Sequence, residues 1–116
     1  MQPIPMKHRK QIAIDSYFNR SCLSGQRATW KDKIVIHHPW TYAGKQISEM
    51  WNYLPLLASE HDYNSPYPSA HNSKLISEKL KLIAISRGDL QEIKKLYPKK
   101  DWDQEIKAIN FNIKKL

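Results

Sequence analysis

Apolar residues follow two different spacings along this chain. Through roughly the first seventy residues they come in short clusters broken by Pro, Gly and charged residues. From Ser73 onward they recur every three or four residues, the period of a helix face. Residues 1–6, with Pro3 and Pro5, predict an irregular start. Residues 9–19 predict a short helix carrying Ile12, Ile14, Tyr17 and Phe18 toward a core. Cys22-Leu-Ser-Gly25 reads as a turn. Thr29 to His38 is β-like, and the polar break at Lys31-Asp32-Lys33 suits a hairpin tip. Pro39 ends that run, since it lacks an N–H for a ladder. A loop with Gly44 comes next over 39–51, with a short turn at 45–50. Tyr53–Leu57 reads as an edge strand because of Pro55, and a helix is expected from about Ser59. Pro66 and Pro68 interrupt the chain after that helix.

The last third has start and stop signals for three helices. Asn72 or Ser73 caps the first, which ends at Gly88. Asp89-x-x-Glu92 opens the second and Pro98 stops it. Asp101-x-x-Gln104 opens the third, where Trp102, Ile106, Ile109 and Ile113 line one face, read here as core packing. Gln-Glu-Ile-Lys occurs at 91–94 and 104–107, too short to make a repeat. The expected fold is α+β, with a short β-hairpin followed by C-terminal helices.

Length limits the function classes. The 116 residues fit one compact domain and exclude a full barrel or a double-lobed dinucleotide enzyme. With 41% hydrophobic and 26% charged residues, the composition is that of a folded chain rather than a disordered one. No run free of Asp, Glu, Lys and Arg is longer than Ile34–Gly44, far below the roughly 20 apolar residues of a membrane span, so no membrane partner is expected. No apolar stretch follows the basic cluster Lys7-His-Arg-Lys10, so no secretory signal is visible. Cys22 is the single cysteine, which excludes an internal disulfide or a multi-thiolate zinc site and fits a cytoplasmic location. It reads as a small buried hydrophobe rather than a nucleophile.

The net charge of +8 is unevenly placed. Residues 1–20 carry four positive charges and one negative, residues 21–73 four of each, and residues 74–116 eleven positive and six negative. A neutral middle between basic flanks suggests that chemistry and grip are separated, with the flanks drawn to a polyanion such as DNA. The organisation expected is a basic arm or helix at 1–20, a chemical core at 21–72 and a basic helical extension at 73–116. Lys94, Lys95, Lys99 and Lys100, with Lys107, Lys114 and Lys115, are the candidates for phosphate contact.

The neutral middle holds His37, His38, Asn52 and His61. Imidazole that is neutral near pH 7 serves either as a base or as a metal ligand. Around these residues the chain resembles the HNH (ββα-metal) endonucleases. The likeness spans about residues 20–75. It is carried by Lys33-Ile-Val-Ile-His-His-Pro39, Trp51-Asn-Tyr-Leu-Pro-Leu-Leu57 and Glu60-His61-Asp62, with Cys22-Leu-Ser-Gly25 echoing the turn that often opens the motif. The resemblance implies a ββα-metal core and a metal-dependent endonuclease acting on DNA. It implies that His37 and His61 bind one divalent cation and that His38 is the general base. It makes Asn52 part of the catalytic set, its amide tying the loop to the strand and aiming the base.

The chain departs from the family pattern at several points. Many relatives have a carboxylate where His37 stands, and many add zinc-binding cysteine pairs that one cysteine cannot supply. Some place a third ligand one turn after the last His, where this chain has Ser65, leaving Asn64 or His71 as a tentative third ligand. His71 also reads as a residue at a helix terminus, the role favoured for it. Two imidazoles and waters suit Zn²⁺, Ni²⁺ or Mn²⁺, and Mg²⁺ stays open through its availability. Metal affinity should fall below about pH 6, because the ligands must be neutral. The segments Leu90–Pro98 and Trp102–Ile106 resemble, loosely, helix-turn-helix appendages of small phage-type HNH proteins. Two readings compete with the nuclease. One is a non-catalytic, basic nucleic-acid-binding protein with a degenerate HNH-like fold, and the other is an interaction protein of a phage or mobile-element assembly. A homodimer is open.

Overall fold

The structure is a computed structural model that describes residues 4–115. The irregular start expected over 1–6 therefore lies partly outside the described residues. The fold is mixed α+β, with two small antiparallel sheets and five α-helices among the described residues. None of these helices is long and apolar enough to cross a membrane.

The N-terminal helix differs from expectation. It runs as α1, Met6–Ile14, and Asp15 breaks it by adopting an extended backbone whose carboxylate accepts from the Tyr17 N–H. A 3-10 turn, Ser16–Asn19, comes next and buries Phe18, whereas Ile14 is 80% exposed rather than packed in a core. The expected Cys22 turn forms. Ser21 Oγ accepts from the N–H groups of Leu23 and Ser24, and Gly25 takes a positive φ of 73°.

Strand β1, Ile34–His37, pairs antiparallel with β4, Leu54–Leu57, in the register His37 opposite Leu54 and Ile34 opposite Leu57. This corrects the expected hairpin. Lys31-Asp32-Lys33 is not the tip of a tight hairpin between neighbouring strands. Thr29 and Asp32 close a local turn, Trp30 is left 83% exposed, and the true partner of β1 comes after a long connection. All four residues of β4 are buried. Pro55 fits because its carbonyl accepts from the Cys22 N–H. That side of the residue faces away from β1, where a missing N–H costs no ladder bond. The connection, read as a loop with Gly44, contains a second hairpin: β2, Thr41–Tyr42, and β3, Lys45–Gln46. Ala43 and Gly44 form its tip with φ of 53° and 79°, the left-handed pair a two-residue hairpin demands. Helix α2, Ala58–His61, leaves β4 directly.

The C-terminal helices match their end signals. They are α3, Lys74–Arg87, α4, Leu90–Leu96, and α5, Trp102–Lys115. Ser73, Asp89 and Asp101 each accept backbone N–H groups of the first turn. Trp102 and Ile109 of α5 are buried, as the stripe predicted. They join Leu80 and Ala84 of α3, Ile93 of α4 and Trp40, Ile47, Leu54 and Leu56 of the β region in one core. The Trp40 and Trp102 rings lie 4.9 Å apart, and the Trp40 indole N–H donates to the carbonyl of Lys81.

Candidate metal centre

Three imidazoles from distant parts of the chain meet at one end of the β1–β4 pair. His37 is the last residue of β1 and is buried, His61 ends α2, and His71 lies in the turn before α3. One ring nitrogen from each falls within 4.8 Å of the others, and the Nε2 atoms of His61 and His71 are 3.1 Å apart. Two nitrogens bound tetrahedrally at about 2.0–2.1 Å from Zn²⁺ would be about 3.3 Å apart. The donor set, three imidazoles, suits Zn²⁺, Ni²⁺ or Mn²⁺ better than Mg²⁺. His61 Nδ1 lies 3.3 Å from the Asp62 carboxylate, an outer partner of the kind that orients a ligating imidazole.

The sequence left the third ligand open between Asn64 and His71. His71 is the one whose ring stands with those of His37 and His61, and it does so from the turn just before α3. The cause is local. Asp62 is already extended, so α2 has no further turn on which a residue such as Ser65 could return to the site. The chain instead loops out and is tied back. The Ala70 N–H donates to Glu60 O and the Ser69 hydroxyl to Asp62 O. The Asn72 amide reaches the carbonyls of Tyr63, Ser65 and Tyr67, folding the loop so that His71 lands against His61. Asn64 is exposed and lines a surface groove with Lys31, Asp32 and Ser59.

His38 follows His37 just past the end of β1 and is not one of the three clustered rings, although His61 is close enough to act on it electrostatically. The His38 ring meets the edge of Tyr53 with centroids 5.1 Å apart. Asn52 is fully buried and brackets the loop beyond the two histidines. Its Oδ1 accepts from the Trp40 N–H, and its Nδ2 donates to the carbonyls of Trp40 and Ile47. Burial and the neighbouring histidines push the His37 pKa down to about 3, so the ring is neutral with a free lone pair. Burial first, and His61 second, also lower His38, and the same two causes lower His71 against the opposing pull of Asp62.

Of the seven lysines singled out for phosphate contact, Lys94 pairs with Asp103 at 2.8 Å and Lys100 with Glu105 at 3.7 Å. Lys95, Lys99, Lys107, Lys114 and Lys115 are exposed. Burial pushes the Cys22 thiol up to about 11, in keeping with an unreactive side chain. The contact that sequence reading missed is between His8 and Tyr53, whose Nδ1 and hydroxyl lie 2.7 Å apart. The two stand 45 positions apart in the chain, and no local spacing signals the pairing.

No protein-family model, no curated protein and no solved structure matches this chain.

Proposed function

We propose that this chain is a metal-dependent endonuclease of the HNH type that hydrolyses DNA phosphodiester bonds. The observation that carries the reading is the convergence of His37, His61 and His71 on one point, with His38 next to it in the chain. The order β1, β4, α2, with one imidazole ending β1 and another ending α2, supports a ββα-metal core. A divalent cation held by the three rings would offset charge on the phosphate and on the leaving 3′ oxygen. His38, neutral because its pKa is lowered, takes a proton from the attacking water. Asn52 acts indirectly, by fixing the backbone two residues beyond that base.

The test is nicking of supercoiled plasmid by purified protein with a panel of divalent cations. His38→Ala should abolish nicking and leave metal binding by calorimetry largely intact, whereas His37→Ala or His61→Ala should weaken both. No cutting by the wild type with any cation, or a His38→Ala variant as fast as wild type, would sink the nuclease.

One observation favours the non-catalytic, nucleic-acid-binding reading. The Nε2 atoms at 3.1 Å let one ring of the His61–His71 pair donate to the other, so both are satisfied without an ion. That protein would bind DNA in a salt-sensitive manner untouched by chelator.

A further inference from the structure

Helix α1 lacks what usually holds a helix in place. It has nine residues, none of them buried. Helices that short are marginal in water and are ordinarily kept by an apolar face against the core. Its permanent charges have one sign: Lys7, Arg9 and Lys10, with no Asp or Glu in the helix. Among the described residues none of these three forms an ion pair, and Arg9 instead donates through Nε to the carbonyl of Ile4. Lys7 and Lys10 are exposed, three positions apart, and so lie on one side of the helix.

His8 docks this helix on a residue that also touches the candidate base. Tyr53 is fully buried, and its ring takes His8 against it at 5.3 Å and His38 at 5.1 Å, both edge to face. Lys7 and His8 line an open groove of about 470 Å³ with Gln11, Asp15, Met50 and Arg87. The acid and the arginine of that groove are already engaged. Asp15 accepts from the Tyr17 N–H. Arg87 donates to the carbonyls of Met50 and Tyr53, with its guanidinium 3.9 Å from the Tyr17 ring centre. Lys7 at the groove, and Lys10 on the same side of α1, have no ion pair among the described residues.

We propose that α1 is a phosphate clamp for the DNA backbone flanking the cut, with Lys7 and Lys10 as its grip and the His8–Tyr53 contact as the latch that holds them beside His38. The location at the cut rests on the nuclease reading, while the grip on phosphate does not. Two unneutralised ammonium groups on a weakly held helix fit the spaced charges of a nucleic-acid backbone and would be ordered by them. His8 is a positioning residue.

The test uses the full chain and a short fluorescent DNA duplex. Anisotropy titrations in EDTA, between about 50 and 200 mM salt, give the slope of log K against log salt. Lys7→Gln/Lys10→Gln should flatten that slope by about 2, at roughly 0.9 per lost phosphate contact. In plasmid nicking the same variant should raise KM several-fold with kcat unchanged. His8→Ala should flatten the slope as well, and His8→Asn, whose amide stands at the δ position that Nδ1 uses, should restore it. The two lysines are exposed, so their variant decides the matter even where His8→Ala folds poorly. A wild-type slope and KM in Lys7→Gln/Lys10→Gln overturn the clamp while leaving the nuclease intact. A wild type that never nicks, with the slope change still present, overturns the nuclease and leaves the grip.

Discussion

Truncating Asn52 strands two backbone groups at once, the N–H of Trp40 and the C=O of Ile47, while the C=O of Trp40 keeps the Ile47 N–H. Each buried polar group without a partner costs on the order of 1–3 kcal/mol. Asn52→Ala should therefore lose about 2 kcal/mol or more in urea unfolding, and a loss under about 1 kcal/mol would show that the bracket matters little. His71→Ala makes the opposite kind of change. The residue is exposed, so apoprotein stability should shift by less than about 0.5 kcal/mol. Zn²⁺ affinity, read by calorimetric titration, should fall at least tenfold if His71 ligates. Unchanged affinity would return His71 to a purely structural role. The meeting of His37 and His61 was expected from the sequence through its likeness to a known motif. The place of His71 beside them was not. A helical spacing of four from His61 points to Ser65, and that spacing needs the helix to continue, whereas α2 stops at His61.

The C-terminal helices were readable because their signals are local. Ser73, Asp89 and Asp101 sit at their starts, and Gly88 and Pro98 stand just past the ends of α3 and α4. The pairing of β1 with β4 was not readable, since sixteen residues intervene and a closer partner looked available at Thr29 and Trp30. Trp30 faces solvent instead, and no apolar surface rewards that pairing. The second hairpin was missed because each of its strands has only two residues, too few to show alternation. Gly88 does more than end a helix. A Cβ built there would come within 2.9 Å of Ile93 Cδ1 and 3.0 Å of Trp51 Cγ. Its backbone is extended, so the cost of Gly88→Ala is steric rather than conformational. Overpacking of this kind costs about 1–3 kcal/mol, and thermal unfolding of Gly88→Ala should show a clear fall in Tm. A Tm equal to wild type would mean that α4 shifts without strain.

Burial of the imidazoles ties the stability of the whole chain to pH. The unfolded chain takes up protons on its histidines near pH 6.5. The folded chain resists, with His37 held down to about 3 and His38 and His71 also lowered. Above pH 6.5 both states are neutral at these groups and stability is at its full value. Below it the unfolded state binds more protons, so stability falls as pH drops from 6.5 toward 3. The slope is at most about 1.4 kcal/mol per pH unit for each such group. Urea titrations of the apoprotein at pH 7, 5 and 4 should show this decline, and a flat profile would contradict it. A cation bound only by the folded state acts in the other direction, adding about 2.7 kcal/mol at a hundredfold excess over its Kd.

Trp40 stands three residues after His37, its backbone bracketed by Asn52 and its indole set against Trp102 of α5. The loop carrying the candidate base therefore has its far wall built by a helix well downstream of it. A ribosome must release α5 before that wall exists. Nascent fragments ending near Gly88 would carry all three candidate ligands, yet no Trp102 for the indole to rest on. Closure of that loop would thus wait until α5 has emerged.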